Sequence, residues 1–72
     1  MPEAFLLLRL EGPPRLKDLL AVEGVAEAYA VKGEFNAVAR LRAECLDGLM
    51  GAVGRIKGLR FVRSAVALII YK

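Results

Sequence analysis

A short polar stretch between two strand-like runs is one of the few places in this chain that suit specific polar chemistry. It spans residues 32–36, and Asn36 is the only asparagine among the 72 residues. Ser64 is the only serine, and the sequence contains no His, Gln, Thr or Trp. Gly33 permits a positive φ and a close approach to the backbone, so exposed N–H groups there can hold a carboxylate. Asn36 and Ser64 add neutral donors and acceptors.

The same stretch has the composition of an ordinary hairpin turn. Gly and Asn dominate turns, where an Asn side chain satisfies the neighbouring backbone. Under that interpretation Lys32, Gly33 and Glu34 only reverse the chain, and Asn36 bonds locally. On residue chemistry alone the plain turn is favoured over a binding site.

The composition indicates a small domain that does not hide its apolar surface alone. Hydrophobic residues make up 57% of the chain, against about 45–50% in globular domains. A domain of 72 residues buries only a modest fraction of its surface. We therefore expect part of the apolar surface to be covered by another copy or another protein. An unusually apolar monomer is the alternative.

Charge and cysteine content exclude several classes of protein. The net charge is +3, from 11 basic and 8 acidic residues, and the signs alternate without a polybasic block that would suit a nucleic-acid or membrane tail. Cys45 is the only cysteine, so no internal disulfide forms and a cytoplasmic location is expected. The apolar run at 5–8 is too short for a signal peptide. The run at 65–71 is too short to span a bilayer, so no membrane association is expected.

Alternation and helical periodicity divide the chain into two β-α-β halves, whose second strands begin 34 residues apart, after Gly24 and Gly58. The pattern predicts strands at 4–10, 25–31, 36–43 and 59–71, and helices at 14–22 and 46–57. Simple alternation places Val25 on one face with Glu27 and Tyr29. It likewise places Val62 with Ser64.

Two such units predict an α+β fold, the ferredoxin-like βαββαβ sandwich, with a four-stranded antiparallel sheet and both helices on one face. The other face has no helical cover, and it is apolar in the first and last strands. A sheet-to-sheet dimer would bury it, giving a dimeric α+β barrel. The second helix carries Gly48, Gly51 and Gly54, which form either a smooth stripe for close backbone packing or a loosely packed exposed face.

The whole chain resembles the ligand-binding RAM domain (regulation of amino acid metabolism) of the Lrp/AsnC transcription regulators. It is most similar to the stand-alone form that lacks the DNA-binding helix-turn-helix. Four segments carry the resemblance through their order and spacing: residues 23–25, 27–36, 56–59 and 62–64. The central family pattern is a valine, a small polar residue, then Gly-(Glu/Asp)-aromatic-Asp. The resemblance implies a single domain over residues 1–72.

The resemblance implies dimers formed by sheet packing, which assemble into octamers or similar rings. It also implies an amino acid bound between dimers, near the glycine-containing hairpin. By position, the implied ligand-binding residues are Gly33, Glu34, Phe35, Asn36 and Ser64. The sequence departs from the family at two positions, because Asn36 replaces the usual Asp and Val62 stands where a hydroxyl is common.

The leading hypothesis is a non-enzymatic amino-acid-binding regulatory and oligomerisation module in the transcriptional regulation of amino acid metabolism. It needs no cofactor and no metal. Co-assembly with full-length Lrp/AsnC regulators is one route of action, and direct DNA binding is not expected because the predicted fold leaves no room for a helix-turn-helix.

Two alternatives remain. The chain is a purely structural oligomerisation module without a ligand, or a small dimeric ferredoxin-like enzyme, although the motifs of an enzyme site are absent. A nucleic-acid binder using a basic sheet face is a weaker hypothesis, because the third strand lacks the aromatic residues that stack on bases. A copper chaperone would need a Cys-x-x-Cys pair, which this sequence lacks.

Overall fold

Six elements follow one another in the order βαββαβ in the computed structural model, which describes residues 1–71. Lys72, the last residue of the predicted domain, lies outside the described residues. The elements are β1 (Glu3–Leu10), α1 (Leu16–Leu20), β2 (Val25–Ala30), β3 (Ala37–Arg42), α2 (Leu46–Lys57) and β4 (Val62–Ile70).

The four strands form one antiparallel sheet in the order β2-β3-β1-β4. This confirms the predicted ferredoxin-like fold. The central strand β1 buries Ala4, Leu6, Leu8 and Leu10 on one face, as expected for a strand flanked on both sides and covered by helices. These side chains share one core cluster with the buried residues of both helices, so both helices cover the same face of the sheet.

Helix α2 buries one apolar face, whereas Leu46 and Met50 of the same helix, at helical spacing with that face, are exposed. Leu49, Ala52, Val53 and Ile56 are buried against the sheet, at the spacing of one helix face. Asp47 lies in the first turn and two basic residues lie in the last turn, where each sign of charge complements the helix dipole. Gly58 is the C-cap, as predicted.

Helix α1 is shorter than the predicted 14–22. It begins after Arg15, whose φ of −103° and ψ of 71° are not helical, and Ala21 is its C-cap. The N–H of Val22 then donates to the carbonyl of Leu19 at 3.1 Å, which closes a tighter turn. A helix of five residues is not stable alone, so α1 depends on the burial of Leu19.

A β-bulge in β2 corrects one predicted face. The pairing of β2 with β3 shifts between Val25 and Glu27, so that Val25 lies opposite the buried Leu41. Val25 therefore packs against the core and does not share a face with Glu27 and Tyr29. The bulge inserts one unpaired residue, Ala26, and this reverses the alternation before it.

A second bulge corrects the predicted start of β4. The register of β1 with β4 shifts between Arg9 and Leu10, which places Ser64 opposite Arg9 but Val62 opposite Leu10. Val62 packs against the core, whereas Ser64 is exposed. The two residues therefore lie on different faces. Residues 59–61 form a turn and not the first part of the strand.

Gly24 lies where the loop before β2 passes close to α2. Its φ is +101°, and a Cβ there would lie 2.9 Å from the Cβ of Ala52. Both the backbone angle and the close approach require glycine. By contrast, the three glycines of α2 are exposed, and apart from its chain neighbours and the backbone of its own helix no described atom lies within 4 Å of a Cβ built on Gly54. Close packing of another backbone on this stripe stays a prediction.

The sheet face away from the helices is without cover among the described residues. Val66 and Leu68 of β4 are 43% and 49% exposed, and Phe5 and Leu7 of β1 are half-buried beside them. We call this surface the open face. No helix within residues 1–71 is long and apolar enough to cross a membrane.

Candidate functional site

The β2–β3 hairpin brings the predicted site to one end of the sheet. The N–H of Val31 donates to the carbonyl of Asn36 at 3.1 Å and closes the turn. Gly33, at the tip, has a φ of +134°, and apart from its two chain neighbours no described residue has an atom within 4 Å of a Cβ built there. The tip is therefore strained for any other residue and open to an approaching molecule.

Asn36 joins the hairpin to the end of β1. Its Oδ1 accepts a hydrogen bond from the N–H of Leu10 at 2.8 Å, and its Nδ2 donates to the carbonyl of Leu10 at 3.0 Å. Its own N–H donates to the carbonyl of Leu8 at 3.0 Å. The side-chain amide thus bonds the backbone 26 residues away, and not its own turn.

Arg9 lies at the centre of the remaining site residues. Its Nη2 is 3.5 Å from Oε1 of Glu34, and its guanidinium carbon lies 5.7 Å from the centroid of the Phe35 ring. Ser64 is directly opposite Arg9 in the β1–β4 pair. Arg9 alternates with the buried Leu8 and Leu10, so these four residues lie at the hairpin end of the open face. We call the group formed by Arg9, Glu34, Phe35 and Ser64 the Arg9 cluster.

The structure therefore brings together three of the five predicted residues. Glu34, Phe35 and Ser64 surround Arg9, while Gly33 shapes the tip and the amide of Asn36 is used in holding Leu10. Arg9 is absent from the sequence-based prediction of the site. Its signal was present, because Arg9 is the residue that ends the apolar run of the first strand.

The Arg9 cluster presents both signs of charge to a solvent-facing surface. The side chains of Arg9 and Glu34 are 51% and 76% exposed, and their contact is long at 3.5 Å. An exposed ion pair of this kind contributes little to stability. A zwitterion can therefore replace it, with its carboxylate on the guanidinium and its ammonium on the carboxylate of Glu34.

A second polar network crosses the open face near the other end of β1. Nε of Arg40 is 2.9 Å from Oε1 of Glu27, and Nη1 of Arg40 is 2.8 Å from Oε1 of Glu3. The side chains of Arg40 and Glu3 are only 24% and 20% exposed. This bridge joins β2, β3 and β1 and leaves Arg40 with two carboxylate partners.

This network shifts the pKa values of Glu27, Arg40 and the neighbouring Tyr29. The hydrogen bond from Arg40 lowers the pKa of Glu27, with a smaller contribution from the Tyr29 hydroxyl. The hydrogen bond to Glu27 raises the pKa of Tyr29, and both carboxylates raise the pKa of Arg40. All three groups therefore stay in their usual charge states near neutral pH.

Comparison with solved structures finds the same fold in other proteins. FFRP-DM1 superposes with a TM-score of 0.89 at 24% identity, covering 99% of this chain and 100% of that chain. TTHA0845 from Thermus thermophilus gives 0.84 at 30% identity, covering 100% of this chain and 95% of that one. E. coli AsnC gives 0.76 at 20% identity, and the match covers 99% of this chain but 51% of AsnC.

The chain is an Lrp/AsnC RAM-like domain. At 24% and 20% identity, the likeness to FFRP-DM1 and AsnC is one of fold. No family model matches the sequence of this RAM-like domain, and no curated protein does.

Proposed function

We propose that this RAM-like domain is a non-enzymatic regulatory module that self-associates through its open face and binds a free amino acid at the Arg9 cluster. The observation that carries the proposal is the Arg9–Glu34 pair, an exposed arginine and an exposed carboxylate beside the open tip at Gly33. The likeness to the regulator AsnC supports a role in transcriptional regulation of amino acid metabolism.

The chemistry of the Arg9 cluster suits an α-amino acid. The guanidinium takes the α-carboxylate in a bidentate pair, and Glu34 takes the α-ammonium. Phe35 offers a ring to the amino acid side chain, and Ser64 offers a hydroxyl. Asn36 contributes by holding the hairpin against β1, which fixes Phe35 and Glu34 beside Arg9.

The open face supports self-association. Its apolar residues lie on the two strands that pair over eight positions, β1 and β4, and they are exposed or half-buried in a single copy. Packing two such faces together would remove them from water, which favours association in proportion to the apolar area covered. We propose a homodimer that assembles into an octamer or similar ring, with the amino acid bound between dimers. Co-assembly with full-length Lrp/AsnC regulators in the cytoplasm is the route by which we propose that the module acts on transcription.

A thermal-shift screen with the twenty amino acids tests the binding proposal. An amino acid at roughly ten times its Kd stabilises the folded state by about 1.4 kcal/mol, which raises the Tm of a domain of this size by about 6–11 °C. We expect at least one amino acid to give such a shift. Arg9→Gln should abolish it, and Lys17→Gln, a change of equal charge on the exposed side of α1, should leave it intact.

Absence of a shift with every amino acid at millimolar concentration would sink the binding proposal. If light scattering still showed an oligomer, the chain would be a purely structural oligomerisation module, the alternative that the apolar open face favours by itself. An equal loss of the shift in Arg9→Gln and Lys17→Gln would place the ligand away from the Arg9 cluster.

A further inference from the structure

A second polar cleft lies between the loop after β1 and the turn before β4. Its volume is about 250 Å³, and it is lined by Glu11, Arg15, Arg60 and Phe61. Arg63 borders it through an ion pair with Glu11, in which Nη2 and Oε2 are 2.8 Å apart. We call these five residues the arginine corner. It is separate from the Arg9 cluster, because Phe61 packs against the core on the helix side of the sheet.

The arginine corner holds guanidinium groups that are only partly neutralised. Arg15 lies over the Phe61 ring, 5.2 Å from its centroid, and its only carboxylate contact among residues 1–71 is a loose one, 3.9 Å to Asp18. Arg63 has the one close pair, with Glu11. Arg60 has no partner among the described residues. Two arginines therefore line the cleft and a third borders it, whereas only one carboxylate is closely bound.

The two loops that carry these arginines are tied together. The N–H of Glu11 donates to the carbonyl of Phe61 at 2.7 Å and joins the two loops. Within the second loop, the N–H of Val62 donates to the carbonyl of Leu59 at 3.1 Å. The next pair along the sheet, Leu10 and Val62, is part of the β1–β4 ladder. These backbone contacts fix the loops on both sides of the cleft before any ligand arrives, which reduces the ordering cost of binding.

The arginine corner differs from the Arg40 network in how many guanidinium donors are already used. Arg40 is closed by two carboxylates within 2.9 Å, so it has few donors to offer. Arg60 offers all of its donors, and the guanidinium of Arg15 lies over the Phe61 ring, where its N–H groups can still reach a ligand. Planar donor edges on several arginines match the oxygens of a phosphate group better than those of a single carboxylate.

We propose that the arginine corner binds the phosphate group of a small phosphorylated molecule. This is a second ligand class, distinct from the amino acid at the Arg9 cluster, and it does not depend on that site. The size of the cleft suits a phosphate and a small attached group. Arg60 is the residue with most to contribute, because binding costs it no existing partner.

The test is a titration of the whole chain with inorganic phosphate at constant ionic strength, in which the NMR chemical shifts of the backbone amides are measured at each step. We expect saturable shifts at the amides of residues 11, 60 and 61. Arg60→Gln should weaken binding about tenfold, the effect of losing one charge-assisted contact. Because Arg60 is exposed and without a partner among residues 1–71, the variant should fold as the original chain does.

Arg42→Gln is the matched control. Arg42 lies opposite Glu3, at the other end of β1, and its exposed guanidinium donates to the Met1 sulfur at 3.7 Å. The Arg42→Gln variant should bind phosphate with the same affinity as the original chain. No saturation, or equal weakening in both variants, would overturn the proposal, because the effect would then be one of net charge.

Two further ligands separate the sources of a phosphate group. A nucleoside monophosphate should bind at least as tightly as inorganic phosphate and shift the same amides. A short single-stranded oligonucleotide should bind no more tightly per phosphate. Binding of the oligonucleotide alone, without either small ligand, would overturn the proposal in favour of a nucleic-acid surface.

Discussion

The side-chain amide of Asn36 replaces a peptide group where the hairpin turns away from β1. The β1–β3 pairing ends at Leu8 and Ala37. Two residues further along β1, the N–H and the carbonyl of Leu10 both bond the side-chain amide of Asn36. An amide serves here because it both donates and accepts, whereas an ionised carboxylate only accepts. The residue that departs from the family pattern therefore has a structural reason within this chain.

Asn36→Asp should destabilise the fold at neutral pH. The bond from the Leu10 N–H survives, but the Leu10 carbonyl loses its donor and faces a negative charge, at a cost of about 1–3 kcal/mol. Urea unfolding at pH 7 measures the difference. The deficit should shrink in acid, because a protonated carboxyl can donate to that carbonyl. As a control, Ser64→Ala, at an exposed position of the same end of the sheet, should change the free energy of unfolding by less than about 0.5 kcal/mol. Equal stability of Asn36→Asp and the original chain would contradict the bonding role of Asn36.

The Glu27–Arg40 bond should make stability depend on acid. The bond lowers the pKa of Glu27 from its ordinary value of 4.5, so its contribution is fully present above that value and is lost as pH falls through the lower folded pKa. Glu27→Gln should therefore be less stable than the original chain at neutral pH, and the two should converge in acid. Denaturant unfolding across the acid range measures this.

Glu34→Gln is the control for that comparison. Glu34 forms the exposed 3.5 Å pair with Arg9, so its removal should change stability little at any pH. If Glu27→Gln showed the same flat profile as Glu34→Gln, the network on the open face would have no part in stability.

At the scale of the elements, the two bulges decide which residues each strand presents. Each bulge inserts one residue and reverses the alternation beyond it. In β2 this returns Val25 to the core, and in β4 it separates Val62 from Ser64. Val62, which departs from the family pattern, is thus partly buried against the core, and its substitution does not remove a hydroxyl from the surface that carries Ser64.

The close approach of the β2 loop to α2 predicts a costly substitution. Gly24→Ala should destabilise by more than Gly12→Ala, since both positions have positive φ but only Gly24 has a neighbour, Ala52, within contact of the added Cβ. The backbone angle costs about 1–2 kcal/mol at either site, and the overlap adds about 1–3 kcal/mol at Gly24.

Thermal unfolding of the two glycine variants measures the difference. Ala52→Gly in the background of Gly24→Ala should recover part of the loss, because it removes the atom that the new Cβ meets. Equal destabilisation at Gly12 and Gly24, without that recovery, would show that the contact with α2 is not limiting.

At the scale of the whole molecule, the open face and the helix side differ in what they leave uncovered. The helix side holds the core, where twelve buried apolar residues form a single cluster. The open face carries a central apolar patch on β1 and β4, with the Arg9 cluster at one end and the Arg40 network toward the other. A partner on this face would cover the patch and approach both polar groups.

Leu68→Glu should break self-association. A carboxylate at the centre of a dry interface is costly to bury without a partner, so size exclusion with light scattering should move from oligomer toward monomer. Leu20→Glu is a matched control, because Leu20 on α1 is 48% exposed and Leu68 is 49% exposed. The Leu20 variant should keep its oligomeric mass. A strict monomer for the unsubstituted chain, or equal disruption by both variants, would contradict assembly through the open face.

The order and type of all six elements followed from local patterns in the sequence. Alternation and helical spacing are local patterns, and they identify one apolar face on β1 and one on α2. These two faces pack against each other to form the common core. The open face was predictable for the same reason, since a two-layer fold covers one side of the sheet. The location of the hairpin tip at Gly33 was also predictable, because glycine and asparagine mark turns.

What the tertiary structure alone decided was the pairing between distant residues. The bulges at Val25 and Val62, the bond of Asn36 to Leu10 and the position of Arg9 beside Glu34 all join segments far apart in the chain. A shift of one residue in register moves a side chain to the other face of a sheet, and no local pattern specifies that shift. The sequence therefore determined the polar tip and its glycine, while only the fold decided that Asn36 holds the backbone of Leu10 and that Arg9 lies beside Glu34.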